Sequence, residues 1–491
     1  MNKTEYLTQI DRVIAHGRYK AEWPSLSHHK VPEWFTAGKF GIFIHWGVYS
    51  VPAFDSEWYP RSMYAPGSKA YEHHRKVYGD QKDFGYKDFI PMFKAEHFNA
   101  EEWAELFRES GAKYVVPVAE HHDGFAMYDS ELNAWNAAKM GPKRNVIGEL
   151  KEACEKNDLV FCASTHRAEH YFFMNMGRTI DSDVNDPQHE AFYGPAVYCP
   201  DLDFHTVHTT TFNAFTMGPT DEWMEDWLVR TCELIDRYQP QIVYFDWWIH
   251  NHAFKPYLKK LAAYYYNRAE EWGKEVTINY KHEAFPHTVA TFDVERGALT
   301  GISPLPWQTD TAIGKKSWGY TTDNTYKGSR QIICDLIDIV SKNGNLLLNI
   351  GPRADGSITE EETQVLLELG QWLKIHGEGI YGTTFWKQFG EGEVNTSDGS
   401  FQDNDEKSFT SHDFRFTYKN GYLYAFQMRP SKSGAMVKSL HRKNGYDYLI
   451  NNVTLLGCEE PLYYERNEEG LYISYPMPTN DLPVCFKIEI G

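Results

Sequence analysis

The chain has 491 residues, with 68 Asp and Glu against 49 Lys and Arg, giving a formal charge of -19. That balance excludes the basic surface demanded by nucleic-acid phosphates, and the length is ample for two or three domains with a large core. The composition includes 15 Trp, 32 Tyr and 29 Phe, an aromatic surplus that suits stacking on sugar rings but serves equally as core. The opening Met1-Asn2-Lys3-Thr4-Glu5-Tyr6-Leu7 lacks the apolar region of a secretory signal, and no apolar run predicts a membrane span. The cysteines Cys154, Cys162, Cys199, Cys232, Cys334, Cys458 and Cys485 are odd in number and show no Cys-x-x-Cys spacing. They predict free thiols in a reducing cytoplasm and argue against structural zinc.

Short apolar runs alternate with helical periodicity over the first three quarters. Strands are predicted at 40–45, 114–119, 159–164, 242–246, 276–279, 290–295, 307–309 and 346–350. Their uninterrupted apolar character, rather than in-out alternation, marks parallel strands covered on both faces. Helices are predicted at 100–110, 146–157, 221–238, 328–342 and 359–376. Eight strands with intervening helices predict an α/β chain folded as a (β/α)8 TIM-like barrel over residues 1–385, irregular where the later strands crowd together. From 386 to 491 the texture changes. A Gly-, Ser-, Asn- and Asp-rich stretch over Glu391–Asp405 precedes alternating runs at 414–418, 422–426, 448–453, 471–474 and 484–490, which predict a C-terminal antiparallel β-sandwich domain.

In such a barrel the groups at the C-terminal strand ends converge on one pocket. The first strand ends in His45, followed by Glu57-Trp58; the second ends in Glu120-His121-His122-Asp123; the third runs into His166. The fourth, Val243-Tyr244-Phe245-Asp246-Trp247-Trp248, sets a carboxylate among aromatic rings with no Lys or Arg nearby in sequence. A carboxylate so placed is costly without chemistry or firm hydrogen bonding. The sixth carries Glu295. Two carboxyls suffice to cleave a glycosidic bond, one attacking the anomeric carbon or activating water and the other protonating the leaving oxygen. Asp246 suits the first role; Glu295 suits the second, with Glu283 as its rival. The pair His121-His122 does not predict a metal site, because successive strand residues point to opposite faces, and neutral imidazoles bind sugar hydroxyls well.

These residues carry a resemblance. The chain resembles the α-L-fucosidases of glycoside hydrolase family 29 through Trp34-Phe35, Gly38-Lys39-Phe40-Gly41-Ile42-Phe43-Ile44-His45-Trp46-Gly47, Glu57-Trp58-Tyr59 and Lys113-Tyr114. It continues in His121-His122-Asp123-Gly124-Phe125, Tyr244-Phe245-Asp246, Ser317-Trp318-Gly319-Tyr320 and Asn343-Gly344-Asn345-Leu346-Leu347-Leu348-Asn349-Ile350-Gly351-Pro352. The motifs keep the family's order over about residues 30–380.

The resemblance implies an exo-acting, retaining α-L-fucosidase with Asp246 as nucleophile; the family's motifs do not fix the acid/base, for which the residues favour Glu295 over Glu283. It implies His45, Trp58, His121 and His122 as binders of fucose hydroxyls, and Tyr244 and Trp318 as walls; Glu57 and His166 complete the candidate substrate-binding set. The chain departs from the family in two places: Ser164-Thr165-His166-Arg167-Ala168-Glu169-His170 stands where a Tyr-Ser-x-x-Glu-Trp-like stretch is common, and Trp307-Gln308 stands where many relatives have Trp-Glu. No cofactor and no metal are expected. The expected partner is a fucosylated oligosaccharide, without nucleic acid or membrane, and a homo-oligomer is compatible with the sequence. The alternatives are a non-catalytic fucose-binding protein on a degenerate barrel and a metal-dependent barrel hydrolase.

Overall fold

The structure, a computed structural model, describes residues 1–197, 218–394, 396, 398–404, 406–442 and 449–491; Cys199, Asp405 and Tyr448, which figure in the sequence reading, lie outside them. Eight parallel staves close into a barrel. They are β1 (Phe40–Ile44), β2 (Tyr114–Glu120), a third stave made of β3 (Val160–Phe161) and β4 (Ala163–Thr165), then β5 (Ile242–Phe245), β6 (Thr277–Tyr280), β7 (Thr291–Asp293), β8 (Trp307–Ala312) and β9 (Gly344–Ile350). Each pairs with its successor in sequence, and β9 closes the ring on β1 from Phe40 opposite Leu346 to Ile44 opposite Ile350.

The helices start where side chains cap them. Asn99, Asn145, Thr220 and Thr359 accept from backbone N–H groups at the starts of Ala100–Glu109, Val146–Lys156, Asp221–Tyr238 and Glu360–His376. Two further helices, Lys255–Trp272 and Ser329–Ser341, cross between β5 and β6 and between β8 and β9. The connections from β6 to β7 and from β7 to β8 contain no α-helix, which is the irregularity the crowded later strands predicted.

The C-terminal strands are β10 (Thr384–Glu391), β11 (Phe414–Lys419), β12 (Tyr422–Gln427), β13 (Ala435–Val437), β14 (Ile450–Leu455), β15 (Tyr463–Arg466), β16 (Leu471–Ser474) and β17 (Val484–Ile490). They form two antiparallel sheets, β10-β11-β12-β17-β14 and β13-β16-β15. Phe414, Phe416, Leu423 and Phe486 of the first share a core with Val437 and Ile473 of the second, so the sheets pack as a sandwich.

A buried charge cluster ties the sandwich to the barrel. Asp338, on Ser329–Ser341, takes Arg415 Nε of β11 at 2.5 Å on Oδ1 and Lys342 Nζ at 2.8 Å on Oδ2. All three are essentially fully buried, and although burial alone would raise it, the two cations hold the Asp338 carboxyl well below the usual carboxylate range. Six cysteines lie among the described residues and all are free thiols. Among the described residues, no helix is long and apolar enough to cross a membrane.

Candidate active site

Strand parity builds the site. Alternate residues of a strand face the same side, and Phe43, Tyr114, Val116, Val118, Cys162, Ile242, Tyr244 and Leu347 share one apolar cluster inside the barrel. Val243 and Phe245 pack instead with Trp227 and Leu261 of the outer helices. Counting on by twos, the inward positions at the C-terminal rim are His45, His166, Asp246, Lys281 and Glu295. Gly41 belongs to the same inward series, and a Cβ there would meet the Tyr114 ring at 2.4 Å, which accounts for glycine inside the longest apolar motif. A register shift between Val118 and Glu120 breaks the parity of β2. Glu120 therefore turns outward onto Arg167 and Arg230, at 2.7 and 2.8 Å, while His121 and His122 both reach the cavity.

That cavity, of about 770 Å³, is lined by His45, Glu57, Trp58, His121, His122, His166, Asp246, Lys281, Glu295 and Trp318 among others. Asp246 is 8% exposed. Its Oδ1 lies 3.0 Å from Lys281 Nζ, and its Oδ2 lies 3.2 Å from His166 Nδ1 and 3.4 Å from His122 Nε2. Burial alone would raise this carboxyl, but Lys281 and the two imidazoles outweigh it and hold Asp246 well below the usual carboxylate range.

Glu295 Oε2 lies 2.8 Å from the same Lys281 ammonium. The contacting Asp246 and Glu295 oxygens are thus within the sum of two short contacts, under ~6 Å, an upper bound that admits the roughly 5–5.5 Å of a retaining carboxyl pair and falls short of the ~6.5–9.5 Å of an inverting one. Burial dominates at Glu295. Assisted by the charges of Asp246 and Asp310 and opposed by Lys281, it pushes the carboxyl up to about 7. One carboxyl ionised and one protonated near neutrality is the division of labour that glycoside cleavage requires.

The histidines surround the Asp246 side of the cavity. His45 Nδ1 lies 2.7 Å from Asn349 Oδ1, and its ring stacks on Trp318 at 5.2 Å. Burial pushes His45 and His121 well below the usual imidazole range, so both are neutral and can give and take hydrogen bonds. His121 Nδ1 has no protein partner among the described residues. His122 is raised, because Glu169 at 3.3 Å and Asp246 together outweigh its burial. Glu169 also receives the Trp248 amide at 3.0 Å, which anchors the segment that follows the nucleophile candidate.

Two residues depart from expectation. Tyr244 is not a cavity wall: it is fully buried one layer below Asp246 on the same inward face. Its hydroxyl donates to Asp310 Oδ2 at 2.7 Å and its ring lies 5.6 Å from Lys281 Nζ; it supports the floor. Glu57 lines the cavity, yet its Oε2 accepts from Ser317 Oγ and the Trp318 amide at 2.8 and 3.0 Å. It thereby fixes the Trp318 wall. Trp58 sits against His122 with ring centroids 5.5 Å apart. Glu283 is exposed and does not line the cavity.

Lys281 and Asp310 escaped the sequence reading. Lys281 follows β6 directly, the strand-end position that flagged the other residues, whereas Asp310 lies inside a stave and faces Lys281 at 3.5 Å. Below them Gln308 is fully buried and bonded to Asp293 and Tyr114 at 2.7 and 2.9 Å. It fills the barrel interior.

Two trios, His45-His121-His166 and His122-His166-Asp246, hold nitrogen or oxygen atoms within 4.8 Å of one another, close enough for a metal ion. In the second, the Lys281 ammonium already supplies the positive charge that Asp246 faces.

Comparison with known proteins agrees with this geometry. The family model described as alpha-L-fucosidase matches residues 6–378. The tissue alpha-L-fucosidase of Rattus norvegicus is 29% identical over 494 residues, covering 96% of this chain and 92% of the rat protein. The plasma alpha-L-fucosidase of Homo sapiens is 33% identical over 389 residues, covering 75% of this chain and 73% of the human one. The crystal structure of Thermotoga maritima alpha-fucosidase in complex with fucose superposes with a TM-score of 0.74 at 29% identity, over 96% of this chain and all of that one. On the match to more than half its length, the chain belongs to the alpha-L-fucosidase family.

Proposed function

We propose that the protein hydrolyses terminal α-L-fucosyl linkages with net retention, with Asp246 as nucleophile and Glu295 as acid/base. The observation that carries the reading is the placement of both carboxyls on one ammonium with their proton affinities driven apart. Asp246 attacks the anomeric carbon while Glu295 protonates the departing oxygen, giving a β-fucosyl ester. Forming that ester removes the Asp246 charge, one of the influences that keep Glu295 protonated. Glu295 is then the better base for the water that releases α-L-fucose. The neutral imidazoles of His45 and His121 and the walls of Trp58 and Trp318 are suited to the hydroxyls and the apolar face of the sugar.

The test is the anomer first formed. Nuclear magnetic resonance during turnover of an aryl α-L-fucoside should show α-L-fucose before mutarotation; β-L-fucose first would refute the double displacement, and no turnover would favour a binding protein.

The histidine trios stand close enough for a metal ion, but Lys281 already faces Asp246 with a positive charge; stoichiometric metal in the purified protein and inactivation by a chelator would overturn the metal-free reading.

A further inference from the structure

The cavity rim is completed by residues from outside the barrel. Ser400, Phe401 and Asn404, which follow β10, line it together with Glu295 and Arg296. The segment is locked onto the connection between β7 and β8: the Phe401 amide donates to the Glu295 carbonyl at 3.1 Å and the Gln402 amide to the Arg296 carbonyl at 2.8 Å. Arg296 returns a hydrogen bond to Asn404 Oδ1 at 3.3 Å. Gly297 lies so close that a Cβ on it would fall 2.0 Å from the Gly399 carbonyl oxygen. From the far side, Lys327 Nζ and the Thr311 hydroxyl hold the Asp403 carboxylate.

On this fixed segment Phe401 is 64% exposed and has φ of 58°. A bulky residue in the left-handed region is strained, and an exposed phenyl returns nothing to the core. His282 and Arg296, which share the rim, are also left-handed, at φ 55° and 45°. Non-glycine residues in that conformation cluster at ligand clamps.

We propose that Phe401 is the platform for the leaving group, and that the leaving group it fits is a hexopyranose presenting an apolar face. The inference rests on the fucosidase reading above. If Glu295 protonates the glycosidic oxygen, the atom beyond that oxygen lies on the outward side of Glu295, where the segment bonded to its backbone carbonyl carries an exposed ring. The C–H face of a pyranose stacks on such a ring, while Lys281 and the histidines remain deeper, with the fucosyl unit.

The experiment compares kcat/KM for α-L-fucosyl fluoride, which has no sugar leaving group, with that for a disaccharide of fucose on a hexopyranose. In Phe401→Ala the disaccharide-to-fluoride ratio should fall roughly tenfold, the size of one aromatic stacking contact. Phe401→Gly removes the ring without backbone strain and should lower the ratio equally, whereas Phe401→Trp should keep it. An active wild type whose ratio is unmoved in both truncations overturns the platform alone. A wild type inert to the fluoride overturns the fucosidase reading and the platform together.

Discussion

Lys281 holds its ammonium 2.8 Å from the Glu295 carboxyl, although it lies on a different stave and belongs to the opposite side of the proposed chemistry by its 3.0 Å contact with Asp246. A single cation thus lowers the proton affinity of both groups against their burial. Removing it in Lys281→Met should raise Asp246 and Glu295 alike, by roughly one to three pH units for loss of an adjacent opposite charge. The alkaline limb of the kcat/KM profile should then move upward and an acidic limb should emerge. A profile that loses amplitude without moving would mean that Lys281 only packs.

The wild-type profile follows from the same two groups. Glu295 must carry its proton when the bond breaks, so kcat/KM should fall as pH rises through about 7. Asp246 must be ionised, and because it is held well below the usual carboxylate range it contributes no acidic limb near pH ~4. Glu295→Gln should abolish the alkaline limb for an aryl fucoside with a good leaving group. Persistence of that limb would assign it to another residue.

Azide separates the roles of the carboxyls. Asp246→Ala should lose turnover on the order of 10⁴-fold, and azide should restore it with β-L-fucosyl azide as product, because azide attacks from the side Asp246 occupied. In Glu295→Ala the fucosyl ester still forms from an activated substrate, and azide should open it to the α-anomer. The same anomer from both variants would contradict the assignment.

The barrel was legible because its staves are buried on both faces. Phe40–Ile44, Ile242–Phe245 and Gly344–Ile350 are continuous apolar runs or nearly so, and every residue in them is buried. Trp307–Ala312 is buried throughout as well, but Gln308 and Asp310 bond Asp293 and Tyr244 inside the barrel while Thr309 and Thr311 bond the Val294 carbonyl and Asp403 on the other face, and hydropathy does not register that. Lys281 was hidden by the 35 positions that separate it from Asp246, since the cost of a buried carboxylate near Trp247 cannot name the cation that offsets it. Glu391–Asp405 has the composition of a linker, so a wall for the cavity was not expected there.

The junction between barrel and sandwich should be fragile at Asp338. Asp338→Ala would leave Arg415 and Lys342 buried without their carboxylate, at a cost of about 3–5 kcal/mol, readable as a lowered urea midpoint with unchanged slope. Because Asp338 is depressed in the folded state, its contribution is present above the unfolded carboxylate range and lost as pH falls through the folded value. The stability gap between wild type and Asp338→Ala should therefore close in acid. A gap constant with pH would point to packing alone.

The two helix-free connections around β7 have a consequence for how such a chain can vary. Backbone that would ordinarily be sheathed by its own barrel is instead sheathed by residues 398–404, so the lobe after the barrel is a structural creditor of the rim. Shortening or exchanging that lobe would strip donors from the carbonyls of Glu295 and Arg296. Insertions and losses in it should therefore be tolerated only where they leave this one strap intact.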